Sequence, residues 1–295
     1  MLLFAEVAEV ELNFVEIRTN APTVDLHYGV DARKALRSLP THSCNCIVTS
    51  PPYWMHQAFP VEPQRWADGW VGNLGLEPHP DHYAAHVAEV IAVAKRVLRP
   101  DGVAWIIVAD SYASSPNFEG STNRYGKTAA AGHRPPPSTI GVRHKSLVGV
   151  PWRVALALQA DGWAIRNEIT WEKPNAKPSD AKDRLLVHHE TIFLLSRSRK
   201  YFFDRAAVGP EFSKTVWTMK ATKGRGGHFA VKPMGIIEPM VLMGCPPGGV
   251  VLDPFCGTGT VGEVAVRLGR EFVGIDLNPD WEAVARKRLK AFVPP

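Results

Sequence analysis

Thr49-Ser50-Pro51-Pro52-Tyr53-Trp54 follows the apolar run Cys46-Ile47-Val48 directly. Two consecutive prolines supply no backbone N–H, and each ring holds φ at about −65°. Their carbonyls therefore project from a stiff bend, flanked by a serine hydroxyl and an aromatic ring. Such a bend is a rigid set of acceptors beside a stacking surface. It suits a flat molecule that carries an exocyclic amino group. Taken alone, the segment reads equally well as a stiff turn at the edge of a core.

A second segment decides between these readings. Val250-Val251-Leu252 has the make-up of a short strand, and Asp253-Pro254-Phe255-Cys256-Gly257-Thr258-Gly259-Thr260 follows it. Val261, Val264, Ala265 and Leu268 then recur at helical spacing, Gly269 marks the helix end, and Phe272-Val273-Gly274-Ile275 forms a further strand ending at Asp276. A strand, a glycine turn, a helix and a strand make a nucleotide-binding unit, in which glycines admit the ligand and the next strand's carboxylate takes the ribose. Gly257 and Asp276 lie 19 residues apart, against about 20 in the dinucleotide fingerprint. Gly257, Gly259 and Gly262 even match the phosphate-binding spacing, but Asp253 at the strand end would repel a pyrophosphate. An ammonium fits there better. One carboxylate for a ribose and one for an amino acid together describe S-adenosylmethionine. Bland alternatives remain at this stage: Asp276 as a cap for Asn278-Pro279-Asp280, and Asp253 as a strand-end turn former.

The two segments resemble the catalytic and cofactor motifs of the amino-methylating DNA methyltransferases. The catalytic motif comes first and the cofactor motif last, as in the family's permuted beta arrangement. The resemblance covers nearly the whole chain. Arg96-Val97-Leu98-Arg99-Pro100-Asp101-Gly102 resembles a family connector, and Trp171-Glu172-Lys173-Pro174-Asn175, Arg184, His189-Glu190 and Tyr201-Phe202-Phe203-Asp204 resemble its second hairpin region. His228-Phe229-Ala230-Val231-Lys232-Pro233 resembles the segment before the cofactor strand.

The resemblance implies a site-specific DNA methyltransferase that draws on S-adenosylmethionine and acts on duplex DNA. Its catalytic residues would be Ser50, Pro51, Pro52 and Tyr53. Ser50 Oγ and the Pro51 carbonyl would accept the two amino hydrogens, and Tyr53 would stack on a base swung out of the duplex. Asp253, Pro254, Phe255, Gly257, Gly259 and Asp276 would hold the cofactor, with Phe255 against its adenine and Asp253 near its amino-acid end. Asp31 is a candidate for the adenine amino group and equally a turn former, while His189-Glu190 supports the site. Serine before Pro-Pro resembles the cytosine-N4 group, and Asp or Asn there resembles the adenine-N6 group, so cytosine is favoured and adenine is the alternative. From other classes, a DNA-binding module of this fold without catalysis conflicts with the intact motifs. A nicotinamide oxidoreductase leaves the proline bend unexplained.

The elements needed to position these residues are legible along the chain. Strands are expected at Val24–Tyr28, Asn45–Val48, Val103–Val108, Ala164–Trp171 and Thr191–Leu195, the last two paired antiparallel. Helices are expected at Ala32–Leu39, Tyr83–Leu98 and Trp152–Ala160. This alternation describes one doubly wound α/β domain over 1–295, a mostly parallel sheet of seven strands with an antiparallel edge hairpin, the S-adenosylmethionine-dependent methyltransferase fold in permuted order. Residues 55–80 and 111–149 are insertions too long for tight connections, and Trp54, Trp66 and Trp70 read mainly as core anchors. Residues 205–227 stand where the family's target-recognition region lies.

Composition adds bounds. The net charge is only +5, but it is unevenly spread. Residues 120–160 hold Arg124, Lys127, Arg134, Arg143, Lys145 and Arg153 without a carboxylate, and residues 205–232 hold Lys220, Lys223 and Arg225 among others against Glu211 alone. Such basic loops suit a DNA backbone; Arg124, Lys127, Arg143, Lys145, Lys220, Lys223 and Arg225 are the candidate contacts. Glutamates interrupt the apolar opening, so no signal peptide is expected, and no run approaches the about 18 apolar residues of a membrane span. Four cysteines without paired spacing indicate a reduced compartment and no zinc. A cytoplasmic protein in a bacterial or phage-infected cell is expected, with no membrane partner and with room for a restriction endonuclease partner and a homodimer.

Overall fold

The computed structural model describes residues 22–56, 58–113, 137–176, 181–222, 232–290 and 292. Its elements run β1 (Val24–Tyr28), α1 (Ala32–Ser38), β2 (Cys44–Thr49), β3 (Gln64–Arg65), β4 (Val71–Gly72), α2 (Pro80–Val97) and β5 (Leu98–Val108). They continue with α3 (Val150–Ala160), β6 (Ala164–Glu172), β7 (His189–Ser196), β8 (Val216–Thr218), α4 (Met234–Gly244), β9 (Val250–Asp253), α5 (Thr260–Arg267), β10 (Glu271–Asp276) and α6 (Glu282–Leu289).

One sheet in the order β1-β10-β9-β2-β5-β7-β6-β8 carries the domain. The first five are parallel to their neighbours, whereas β7 runs antiparallel to both β5 and β6. Alternation along each central strand feeds two cores. Ala104, Ile106 and Val108 of β5 pack with α1, α2 and α3, while Val103, Trp105 and Ile107 pack with α4, α5 and α6. The antiparallel pairing of β6 with β7 is as the sequence predicts.

The sheet has eight strands, one more than expected, and the β6–β7 hairpin is not its edge. Beyond β7 the chain makes two short 3-10 turns, and Val216–Thr218 then pairs parallel to β6. Three residues are too few to show a period of two. Burial explains the pairing: Trp217 is 1% exposed, with Trp105 at 5.9 Å and Phe212 edge-on at 5.5 Å. The range 205–227 therefore includes one strand of the sheet, Val216–Thr218. α4 also lacks a sequence signature. It is apolar apart from the exposed Glu238 and contains Pro239, so no stripe stands out. A Cβ on Gly244 would lie 2.7 Å from Trp105 Nε1, and glycine is what lets the helix end lie against the sheet.

The insertion 55–80 is ordered in its described part. β3 and β4 form a small hairpin, and Trp54 and Trp66 are buried in the core with Trp70 packed against it. Among the described residues, no helix is long and apolar enough to cross a membrane. Trp217→Ala should cost about 3–5 kcal/mol, the range for truncating a buried aromatic, read as a lower midpoint in urea. A loss below about 1 kcal/mol would show β8 to be an ornament rather than part of the sheet.

Candidate functional site

From β9 the chain turns to β10, and from β2 it turns to β5, on opposite sides. Ligands bind at such a switch point, beyond the carboxyl ends of the strands. Both motifs leave the sheet there. β2 and β9 pair through Cys46 with Val251 and Ile47 with Leu252. Immediately beyond, the Thr49 hydroxyl donates to Asp253 Oδ1 at 2.6 Å. Ser50 and the turn at Gly257 thus belong to one cleft.

The glycine turn is held by its backbone. Cys256 N–H donates to the Ile275 carbonyl, and Gly259 N–H to the Cys256 carbonyl. Gly257 and Gly259 adopt φ of +50° and +78°, where side chains are disfavoured. A Cβ on Gly257 would meet nothing within 4 Å, so the turn faces open space. Asp276 accepts Gly257 N–H at 2.8 Å and Asn278 N–H at 2.9 Å. Its carboxyl is raised above the usual range by burial, against these two donors. Asp253 is 3% exposed and also accepts Phe255 N–H. Burial raises its carboxyl to about 7, opposed by the Thr49 and Phe255 hydrogen bonds. Open space over a glycine turn, a half-buried Phe255 and two carboxylates form a donor and acceptor set that fits an adenosine bearing an ammonium.

The proline bend is held by side chains from distant segments. Tyr53 O–H donates to Glu190 Oε2 at 2.6 Å, and the nearby Ser50 side chain opposes the upward shift of the same phenol. Lys173 lies 2.8 Å and Lys232 3.7 Å from Glu190, and Lys232 Nζ sits 4.5 Å from the Tyr53 ring centroid. Burial alone would raise Glu190, but Lys232 and Lys173 outweigh it and bring its carboxyl down to about 2. Tyr53 is pushed well up, first by burial and then by the Glu190 charge, so its phenol stays protonated. From beneath, Gly75 at φ +95° approaches the Pro52 and Tyr53 carbonyls, where a Cβ would come within 3.3 Å and 3.2 Å. Its N–H donates to the buried Glu77, which is paired to His86 at 3.0 Å.

Several site residues were not singled out by the sequence. Thr49 and Tyr28 are two: the Tyr28 hydroxyl donates to the Gly257 carbonyl at 2.7 Å. Lys232 and Lys173 are the others, present in the resembling segments but without a role there. Asp31 caps α1, and its carboxylate takes Arg33 through backbone and guanidinium. The turn-forming role is what the geometry displays. Of the basic candidates, Arg143, Lys145 and Lys220 are exposed, and Lys145 pairs with Asp183 at 2.6 Å. Arg124, Lys127, Arg134, Lys223 and Arg225 lie outside the described residues.

The model of the DNA methylase family matches residues 44–287. The chain is 39% identical over 267 residues to the Type II methyltransferase M.Cfr9I of Citrobacter freundii, covering 88% of this chain and 86% of that one. It is equally 39% identical over 268 residues to the Type II methyltransferase M.SmaI of Serratia marcescens, covering 88% of both. Among solved structures, the PvuII DNA methyltransferase (cytosine-N4-specific) superposes with a TM-score of 0.66 at 19% identity, over 92% of this chain and 89% of that one. M1.HpyAVI complexed with S-adenosylmethionine does so with a TM-score of 0.58 at 17% identity, over 91% and 100%. These structural likenesses are of fold.

Asp253 binds its proton more tightly folded than unfolded. Its contribution to stability is therefore complete below 3.8 and declines as pH rises to about 7. Asp253→Asn keeps an acceptor for Thr49 and removes this dependence. Urea midpoints across that window should fall for the native chain relative to the variant; two parallel curves would contradict a protonated carboxyl in the fold.

Proposed function

Starting from a chain that belongs to the DNA methylase family and uses S-adenosylmethionine, we propose that it methylates the exocyclic N4 of a cytosine swung out of duplex DNA at a specific site. The observation that carries this reading is the Thr49–Asp253 hydrogen bond, which ties the amino-gripping bend to the glycine turn. Bound S-adenosylmethionine supplies an electrophilic methyl on a sulfonium. Asp276 would hold its ribose, Phe255 its adenine face, and Asp253 its amino-acid end, with Pro254, Gly257 and Gly259 shaping the turn.

An exocyclic amine is a poor nucleophile, because its lone pair is delocalised into the ring. Ser50 Oγ accepting one hydrogen and the Pro51 carbonyl the other would hold the group and favour a pyramidal nitrogen. The clamp on Tyr53 supports this role of Ser50. With the amine bound, a chain would run from it to Ser50, from Ser50 to the neighbouring Tyr53 phenol, and from the phenol to Glu190, the last link being the 2.6 Å hydrogen bond. Successive donation along such a chain polarises each member and strengthens Ser50 as an acceptor. Lys232 lies over the Tyr53 ring, with the His56 ring at right angles to it at 5.5 Å. Stacking of the base on Tyr53, worth about 1–3 kcal/mol per base, would offset much of the cost of flipping. The nitrogen would attack the methyl carbon directly as the carbon–sulfur bond of the sulfonium breaks to leave a neutral thioether, with no covalent adduct to the base. The surplus amino proton would leave through the Ser50 hydroxyl to solvent. Positioning supplies much of the rate.

Serine rather than Asp or Asn before Pro-Pro supports cytosine. The exposed Arg143, Lys145 and Lys220 would meet phosphates, and residues 205–227 would contribute to target recognition. The homologues named as Type II methyltransferases support a cytoplasmic restriction-modification setting.

Host DNA sequenced after expression of this chain should reveal one modified motif, and mass spectrometry of digested DNA should show N4-methylcytosine. N6-methyladenine alone would end the cytosine reading. Ser50→Ala should lower turnover by about 10²-fold, as expected for loss of one preorganised hydrogen-bonding group, and full activity in that variant would remove Ser50 from the mechanism.

A further inference from the structure

We propose that Leu185, flanked by Leu186 and Val187, is an apolar wedge that enters the base stack and fills the place vacated by the flipped base; this rests on the methyl-transfer reading above. Leu185 is 90% exposed, Leu186 48% and Val187 40%. Three consecutive apolar residues in water are unusual unless they serve a surface. Nothing in the two cores requires them.

The backbone around the tip is fixed on both sides. On one side, Asp183 pairs with Lys145 at 2.6 Å, and the Arg184 guanidinium lies 3.8 Å from the Tyr112 ring centroid. On the other, Lys173 N–H donates to the His188 carbonyl at 2.6 Å, where β7 begins. Glu190, which holds the Tyr53 phenol, is five residues from Leu185, a reach of about 17 Å at full extension. The tip is therefore tethered beside the base-gripping bend and at the same end of the sheet.

Its surroundings specify the occupant. Lys182, His188 and His189 are exposed around it, and Arg184 is half-buried. Lys182 and Arg184 outside, with Asp183 neutralised by Lys145, and an apolar centre match a duplex, whose phosphates surround a stack of apolar base faces. Apolar side chains that enter a base step work in this way, replacing stacking contacts that unstacking removes. Here the wedge would stabilise the flipped state and leave the methyl-transfer residues untouched.

The test uses the full chain, labelled S-adenosylmethionine and duplexes carrying the motif that host DNA shows to be modified. In one duplex the target base is paired; in the other it faces an abasic site, so that flipping breaks no base pair. Leu185→Ser should lower the single-turnover rate on the paired duplex about tenfold, the equivalent of about 1.4 kcal/mol. On the abasic duplex it should stay within about twofold, because a base without a partner flips at less cost. Equal losses on both duplexes would make Leu185 a general contact, and no loss on the paired duplex would leave it idle; either overturns the wedge. A lower sedimentation coefficient for the free variant would assign the tip to a second copy of this chain and also overturn it. If the unaltered chain methylates neither duplex, the methyl-transfer reading itself fails.

Discussion

Two parallel strands from opposite ends of the chain lie side by side for only two register pairs, Cys46 with Val251 and Ile47 with Leu252. The rest of the site depends on this short junction. Parallel strands deliver their carboxyl ends to the same edge, and here the two chains then diverge, toward β10 and toward β5. The cleft is the space that this divergence leaves open. Thr49 and Asp253 close its floor at 2.6 Å, deep enough that the carboxylate retains a proton up to about pH 7. A floor that is neutral when empty would still be able to ionise when an ammonium arrives, since an opposite charge lowers a carboxyl's affinity for its proton.

Charge on the other side of the cleft follows similar logic. Two lysines share one carboxylate, Glu190, so the cluster carries one positive charge in excess. Lys232 is pulled down by burial, and both Glu190 and Asp253 oppose that pull. The Tyr53 ring, whose π-face attracts a cation, lies under the same ammonium. Buried ion pairs seldom add much stability, because desolvation consumes the Coulombic gain. Their value here is positional. They set the direction of one phenol, and through it the hydroxyl of Ser50.

Much of this arrangement was legible in the sequence because its strongest signals are local. Short apolar runs located β1, β2, β5, β6, β7, β9 and β10, and the position of each motif just past a strand's carboxyl end placed the bend and the glycine turn at one edge. What escaped is non-local or too short. β8 is three residues long and exists because Trp217 finds Trp105 and Phe212. α4 is apolar apart from Glu238 and so has no stripe. Thr49, Tyr28 and Lys232 acquire meaning only through partners 204, 229 and 42 positions away in the chain. Asp31 is a different case: the sequence left it open between an adenine contact and a turn former, and the structure has it capping the helix that follows through Arg33 N–H.

The two ends of the cleft are therefore built by different means. The cofactor end is one contiguous unit, β9 to β10, closed by backbone hydrogen bonds from Cys256, Gly257, Gly259 and Asn278. Such bonds form whenever the local strand–turn–helix forms. The base end has no local unit of its own. Its bend is fixed by Glu190 at the start of β7, Lys173 beyond β6, Lys232 before α4 and Gly75 from the insertion. Each of these reaches Ser50 and Tyr53 only after the sheet has closed. The cofactor pocket can thus persist through local disturbances that disorganise the bend, because small openings take place where contacts are few and side-chain held. In this fold the shape of the glycine turn is set largely within one segment, with Thr49 and Tyr28 joining it from β2 and β1, and the shape of the proline bend is set by the whole domain.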